Sequence, residues 1–230
     1  MRFQLLSACL TACAVLAGVA NAQPGGGASG GGYNAPAREM TPEDRAQAAF
    51  RQGVRAVKQA DKQANAAAEA PNEAKRAKAR ERARRDYEKA REAFTATVQQ
   101  APQNHDAWNY LGYASRKLGH YNDSLAAYDE ALRLKADFAE AIEYRAETYL
   151  ALDRLEDAKG EYMKLFRDAR PMADQLMAAM QRWIAQRRSD PGALTAADID
   201  AFAQWVEERA QIAQQTASLA VGGVQPGWEE

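Results

Sequence analysis

The chain repeats its own pattern of large and small residues with a period of 34 across residues 105–170. Apolar residues in each unit follow helical spacing, and a short turn divides each unit into two helices. Such helix–turn–helix units bury their apolar faces by stacking on one another. A single pair, Leu111 and Arg145, does not match in character. The matched pairs are Trp108 and Ile142, Gly112 and Ala146, Leu118 and Leu152, Tyr121 and Leu155, Ser124 and Ala158, Tyr128 and Tyr162, and Leu132 and Phe166.

Composition agrees with a helical chain. Alanine is abundant, β-branched residues are sparse and 47% of the residues are hydrophobic, which favours a globular helical protein over a sheet or a disordered chain. The spacing predicts helices over residues 105–118, 121–134, 139–152 and 155–166.

Seven residues of the first of these units stand at the spacing of a known repeat signature: Trp108, Leu111, Gly112, Gly119, Tyr121, Tyr128 and Ala131. Ser124 stands where that signature prefers alanine, and Ala136 replaces its closing proline. With these residues, the segment resembles the tetratricopeptide repeat family. The resemblance implies an all-α fold, a right-handed α-solenoid of helix pairs over residues 41–170, with units at 41–103, 105–138 and 139–170.

The first unit is split by an insertion. Residues 50–53 look like the middle of a family first helix, and residues 86–90 look like its second helix. The family has nine steps between the positions of Gly53 and Tyr87, whereas this chain has 34, an excess of 25 residues. Helical sequence runs from Pro42, breaks near Pro71, and resumes to about residue 100. The sequence therefore predicts two overlong helices that project beyond the solenoid as a hairpin, by roughly 18 Å.

One arm of this hairpin is strongly basic. Residues 72–85 contain seven basic residues against two acidic ones. Two interpretations stay open: a solvated helix face, or an electrostatic patch for an acidic protein, an anionic lipid or a cell-wall polyanion. No aromatic residue lies among these charges, so nucleic-acid base stacking has no support. The basic residues are Lys75, Arg76, Lys78, Arg80, Arg82, Arg84 and Arg85.

The resemblance also implies a concave groove, lined by the first helix of each pair, that binds a protein or peptide. Some family members hold a carboxylate with a clamp of Lys, Asn and Arg. The matching positions here are Phe50, Val54, Tyr110, Glu140 and Tyr144, so that clamp is absent. Acidic residues beside aromatic ones suggest a basic or amphipathic peptide ligand, with packing as the alternative role for the tyrosines. The candidate groove residues are Asn109, Tyr110, Tyr113, Arg116, Glu140, Glu143, Tyr144 and Glu147.

The C-terminal part lacks the repeat signature. One helix begins at Pro171, and a second is predicted after Thr195, where Asp198 completes a capping box. We expect helices over residues 171–219 to cover the open face of the last repeat, and residues 220–230 to be a disordered tail. Trp228 lies in that tail, either by chance or as a short partner-binding element.

The N-terminal segment has the pattern of an export signal. Arg2 precedes an uncharged apolar run that ends in an A-x-A cleavage site at residues 20–22, so residues 1–22 are predicted to be a signal peptide. A weaker alternative is a lipoprotein anchored through Cys13. Residues 23–40 are rich in glycine and form a predicted flexible leader. Cys9 and Cys13 both precede the cleavage site, so the mature chain has no cysteine.

The sequence offers little material for catalysis. Two histidines, no cysteine in the mature chain and no P-loop, zinc or calcium motif leave no candidate catalytic residue, metal site or cofactor. His105 and His120 stand at a helix start and in a turn, where capping and surface roles are typical. A net charge of −1 gives no global case for nucleic-acid binding. We expect a non-enzymatic interaction scaffold of the bacterial periplasm or envelope, and the alternative is electrostatic attachment through residues 72–85. The sequence leaves the oligomeric state open.

Overall fold

The structure is a computed structural model that describes residues 39–221. The predicted signal peptide, the leader up to residue 38 and residues 222–230 lie outside the described residues, whereas residues 220 and 221 are the last two of a helix. The described part contains eight α-helices and no β-strand. They are α1 (Pro42–Ala68), α2 (Glu73–Gln100), α3 (His105–Lys117), α4 (Tyr121–Leu134), α5 (Ala139–Ala151), α6 (Leu155–Asp168), α7 (Arg170–Ser189) and α8 (Ala196–Val221).

Side chains supply the missing backbone partners at the start of four helices, α1, α2, α3 and α8. At α1, Thr41 Oγ1 accepts from the Asp44 amide at 3.1 Å, and the Asp44 carboxylate accepts from the Thr41 amide at 3.2 Å. The same reciprocal pair joins Thr195 and Asp198 before α8. The predicted capping box at Thr195 is confirmed, and α1 begins with the same arrangement. Asn72 caps α2 by accepting a backbone hydrogen bond through its side chain.

The helices stack in chain order. α1 packs against α2, α3 against α2 and α4, and α5 against α4 and α6. α7 then packs against both α5 and α6, and α8 against α7. Each helix therefore contacts its neighbours in sequence and few others, which is the contact pattern of a solenoid. The predicted all-α, tetratricopeptide-like solenoid is confirmed.

Glycine lets the two helices of a pair approach closely in the first two pairs. A Cβ atom added at Gly53 would lie 2.6 Å from the Phe94 ring, and one at Gly112 would lie 2.6 Å from the Tyr128 ring. Both rings are fully buried. Any larger residue at these two positions would therefore push a core ring aside.

The third helix pair also places a small residue and a buried aromatic ring at these two positions, but the small residue is alanine. Ala146 and Tyr162, the counterparts of Gly112 and Tyr128, are fully buried in one apolar cluster. The turn after α5 has Asp153 at φ 56°, a left-handed conformation that costs free energy for a residue other than glycine. Arg187 Nη2 donates to Asp153 Oδ1 at 2.6 Å, which ties this turn to α7.

The mismatched pair of the repeat has a structural explanation. Leu111 is half-buried among apolar residues, whereas Arg145, its counterpart in α5, forms two ion pairs. Arg145 Nη1 lies 2.6 Å from Asp129 of α4, and Nη2 lies 2.8 Å from Glu161 of α6. The counterpart of Glu161 in the preceding unit is Ala127, which is buried. One unit thus has two apolar residues at the positions where the next has a buried ion pair.

The inserted residues of the first pair continue α1 and α2 as helices. α1 extends 15 residues past Gly53, whereas α3 extends only five past the corresponding Gly112. Ten additional residues at 1.5 Å each make α1 about 15 Å longer than α3 at this end. The hairpin therefore projects past the end of α3, close to the distance that the sequence predicts.

α7 and α8 form a further helix pair without the repeat signature. α7 packs against α5 and α6 in the same way that α5 packs against α3 and α4. Its residues Leu176 and Met180 are fully buried, and Trp183 Nε1 donates to the Leu150 carbonyl at 2.7 Å. None of the helices in residues 39–221 is both long and apolar enough to cross a membrane.

Candidate partner-binding site

The first helices of the repeat pairs form a surface that we call the groove. It contains a depression of about 190 Å³ between α1, α3 and α5. Three tyrosines from the predicted set, Tyr110, Tyr113 and Tyr144, line this depression, and α1 supplies the rest of its wall. The α1 residues are Val54, Val57, Lys58 and Asp61.

The groove tyrosines are both packed and partly accessible. Tyr110 stacks on Phe94 at 5.1 Å between ring centroids, with the rings 7° from parallel. Tyr113 lies 5.2 Å from Tyr144. Each of the three keeps part of its surface exposed. The rings are therefore fixed in place by the core while still offering apolar surface to a ligand.

A carboxylate on α1 joins the first two pairs. Asp61 Oδ1 accepts hydrogen bonds from the hydroxyl groups of Tyr87 at 2.5 Å and Tyr113 at 2.8 Å. Burial, and secondarily the Asp61 charge, raise the pKa of Tyr113 well above its usual range, so its hydroxyl stays protonated and donates. The groove floor is thereby tied to the base of the hairpin.

An ion pair joins α3 to α5, C-terminal to the groove tyrosines on both helices. Arg116 Nη1 lies 2.5 Å from Glu147, and both side chains are mostly buried. The Arg116 guanidinium lies 5.5 Å from the Tyr113 ring and 5.6 Å from the Tyr144 ring. Arg182 of α7 approaches the second oxygen of Glu147 at 4.0 Å. Arg116 and Glu147, both predicted groove residues, thus satisfy each other's charge.

Asn109 and Glu143 occupy the same position in successive units and are both buried. Asn109 is 5% exposed and Glu143 is 4% exposed. Asn109 Oδ1 is buried without a hydrogen-bond partner. Glu143 forms no hydrogen bond and no ion pair within residues 39–221, and its carboxylate oxygens keep some contact with solvent. Burial, followed by the nearby charge of Glu147, raises the pKa of Glu143 to about 8. Native proteins rarely leave buried polar atoms without partners, and Asn109 Oδ1 is one of eight such side-chain atoms among the described residues.

The three predicted acidic groove residues have three different environments. Glu140 is exposed to solvent, Glu143 is buried without a partner, and Glu147 is paired with Arg116. The acidic stretch is therefore not one continuous charged surface. Of the three, Glu143 is the carboxylate whose burial and missing partner favour a specific contact.

The predicted basic residues of α2 divide between two sides of the helix. Arg76 and Arg84 pair with glutamates of the same helix at 2.6 Å and 2.5 Å, and Arg80 lies 3.8 Å from a glutamate. Arg85 lies 3.9 Å from Glu81. The other side carries Lys75, Lys78 and Arg82, which have no ion pair among the described residues and line a separate crevice with the end of α1.

The sequence missed three residues that contact groove side chains. Asp61, Tyr87 and Arg182 lie on helices where no motif points to the groove. A helical-face comparison could have found Asp61, which lies seven residues after Val54 and therefore on the same side of α1. Arg182 carries no such signal, because its role depends on how α7 packs against α5.

The two histidines lie apart from the groove. The His105 ring packs edge-on against Phe138 at 5.0 Å, and His120 precedes α4 without a side-chain cap. Within residues 39–221, no three His, Cys, Asp or Glu side chains are grouped to hold a metal ion.

Residues 105–138, which form α3, α4 and the following turn, match the family model of the tetratricopeptide repeat. This segment, 34 of the 230 residues, is similar to a tetratricopeptide repeat. The matched repeat supplies Asn109, Tyr110, Tyr113 and Arg116 to the groove. No curated protein matches the chain. Tetratricopeptide repeats typically bind protein partners, and proteins built from them are generally non-enzymatic scaffolds.

Proposed function

We propose that this chain is a non-enzymatic protein–protein interaction scaffold whose groove binds a basic or amphipathic peptide segment. One observation supports it above the others: at the same position of successive units, Asn109 Oδ1 is buried without a partner, and Glu143 is a largely buried residue with no hydrogen bond or ion pair among the described residues. A ligand lying across α3 and α5 would reach both. It would do so beside three tyrosines that are already fixed in position.

Each groove residue has a distinct role in this proposal. Glu143 accepts hydrogen bonds from a lysine or arginine of the ligand, and Asn109 Oδ1 accepts one from a peptide amide. Tyr110 and Tyr144 provide apolar contact for the ligand's aliphatic side chains. Arg116 holds Glu147, so the two neighbouring glutamates do not compete for the same cation.

Glu143→Gln tests the charged contact. We expect this variant to weaken binding of a short lysine-containing amphipathic peptide by about tenfold, because a charge-assisted hydrogen bond contributes about 1.5–3 kcal/mol. Fluorescence anisotropy with a labelled peptide measures the change. A counterpart peptide with glutamate in place of lysine is expected to bind weakly to both proteins.

The affinity should also depend on pH. A ligand cation prefers ionised Glu143, whose pKa in the free protein is raised to about 8, so affinity should increase from pH 7 to pH 9. The groups that act on Glu143 are Glu147 on its own helix, Arg116 and Lys117 on α3, and Arg182 on α7. Burial lowers the pKa of Lys117, whose loss of charge acts in the same direction. The part of the increase that Glu143→Gln abolishes is therefore the contribution of Glu143.

The matched control is Glu140→Gln, which removes the same charge from an exposed position of α5. It should change affinity less than about twofold, since exposed ion pairs contribute little. Equal losses in the two variants would contradict a specific contact at Glu143. A peptide-array screen that returns mainly acidic sequences would overturn the proposed ligand class.

A second candidate function is electrostatic attachment to an envelope polyanion or an anionic lipid. It is supported by Lys75, Lys78 and Arg82, which share one side of α2 and have no ion pair among the described residues. Salt separates the two functions, because attachment through exposed charges weakens steeply with ionic strength and groove binding weakens less.

We also propose that the scaffold acts outside the cytoplasm, in the bacterial periplasm or envelope. The apolar segment and A-x-A site of residues 1–22 support export. The mass of the protein recovered from its host decides between cleavage before Gln23 and lipid attachment at Cys13.

A further inference from the structure

The hairpin leaves an opening beside the end of α3, which we call the notch. It has a volume of about 710 Å³ and lies between α1, α2 and the last residues of α3. It is separate from the groove, because none of its lining residues lines the depression between α1, α3 and α5. Near its base, the hairpin is covered on this side by α3. Because α3 ends about 15 Å before α1 does, the part of the hairpin nearest its turn is left uncovered.

The floor of the notch is apolar. Ala64, Ala67 and Ala83 form it, together with Tyr87 and Leu118. It continues the buried cluster that joins the hairpin to α3. Because alanine side chains are small, the floor leaves space for one large side chain from outside.

The rim of the notch is cationic. Arg76, Arg80, Arg84 and Lys117 line it, and no carboxylate does. Arg76 and Arg84 pair with exposed glutamates of their own helix, whereas Lys117 has no ion pair among the described residues. Exposed pairs of this kind contribute about 0–1 kcal/mol, so an incoming anion can share these arginines at little cost.

A segment that fits this chemistry needs an aromatic or large apolar side chain next to acidic residues. The chain has one at residues 228–230, with the sequence Trp228, Glu229, Glu230. The tryptophan matches the apolar floor in character, and the two glutamates match the basic rim in charge. The proposed groove function does not use these residues.

The same copy's Trp228 is too far away to occupy the notch. α8 packs against α7, α7 packs against α5 and α5 packs against α3, so three helix-to-helix steps of about 8–10 Å each separate α8 from the end of α3. α8 has 26 residues and is about 39 Å long. Trp228 follows Val221 by seven residues, which reach at most about 25 Å when fully extended. The occupant must therefore come from another molecule.

We propose that the notch binds Trp228, Glu229 and Glu230 of a second copy of this chain, so that copies associate head to tail. The two surfaces involved are different, so each copy keeps one free notch and one free C-terminal segment. Association of this kind continues beyond a dimer unless it closes into a ring.

Sedimentation velocity on the chain that begins at Gln23 tests the proposal. The described residues from Met40 to Val221 form one compact unit, and the chain that begins at Gln23 keeps all of them. We expect the average mass to increase with concentration beyond that of a dimer. Trp228→Ala should weaken association about thirtyfold, as truncation of a central tryptophan does at other interfaces. A free peptide of residues 222–230 should bind the notch and return the protein to a monomer.

The arginines of the rim have a matched control on the same helix. Arg76→Ser with Arg80→Ser should abolish association, whereas Lys75→Ser with Lys78→Ser removes the same charge from the other side of α2 and should leave it unchanged. Equal loss in both double variants would overturn the proposal, as would a protein that stays monomeric and does not bind the peptide. Loss of binding to anionic vesicles in the arginine variant, with no change in mass, would assign the notch to lipid instead and would also overturn it.

Discussion

Replacing Phe94 with alanine should lower the free energy of unfolding by about 4 kcal/mol, because removal of a large buried ring leaves a cavity in the core. Phe94 is fully buried, and its ring fills the space that Gly53 leaves on α1. It stacks on Tyr110 of α3 at 5.1 Å and meets the Phe50 ring edge-on at 5.7 Å. Phe94 therefore holds the first helix pair together and also holds it to the second.

Urea unfolding followed by circular dichroism measures this loss. The control is Met163→Ala on α6, where the side chain is 43% exposed and the expected change is within about 0.5 kcal/mol. Because Phe94 joins two helix pairs, its removal should also split the single transition into two steps. A change below about 1 kcal/mol with one cooperative transition would contradict the role assigned to this ring.

Arg145→Leu should cost about 3 kcal/mol, although leucine occupies the corresponding position of the preceding unit. Removing Arg145 leaves Glu161, 6% of whose side chain is exposed, without its partner at 2.8 Å. Lys164 remains 3.2 Å from the same oxygen, but its side chain is half exposed and compensates only in part. The cost arises from a buried carboxylate rather than from lost packing.

The double variant Arg145→Leu with Glu161→Ala separates these two causes. It gives the third repeat unit the two apolar residues, leucine and alanine, that the preceding unit has at the same positions, Leu111 and Ala127. We expect it to recover most of the lost stability, because replacing both members of a buried ion pair with apolar residues is often neutral. Arg154→Ala is the control, since its ion pair with Asp157 is exposed. A double variant no more stable than Arg145→Leu would contradict this explanation.

The helix pairs could be predicted from the sequence because their determinants are local. Gly112 lies opposite Tyr128 within a single helix pair, and the period of 34 repeats this arrangement in the next pair. Thr41 and Thr195 mark helix starts through contacts with residues three positions further on. The hairpin also follows from local signals, since Pro71 breaks the inserted segment and Asn72 caps the helix after it. Such contacts depend on spacing within one helix pair, which a sequence shows directly.

The site could be predicted only in outline because its contacts cross between pairs. Arg116 reaches Glu147 from one unit to the next, and Asp61 accepts from tyrosines on two other helices. The sequence predicts Arg116 and Glu147 as groove residues, yet it gives no sign that they neutralise each other. Which carboxylate remains unpaired depends on the packing angle of α3, α5 and α7, and no single helix encodes that angle.

The close contact between glycine and a core ring has a geometric consequence for the whole solenoid. The residue opposite the ring acts as a spacer that sets the distance between the two helices of a pair. Gly53 and Gly112 give the first two pairs the smallest possible spacer, whereas Ala146 gives the third pair one additional methyl group. A stack of units with unequal spacers bends unevenly along its length, so this single position tunes the curvature of the groove and hence the shape of the ligand backbone that can lie along it.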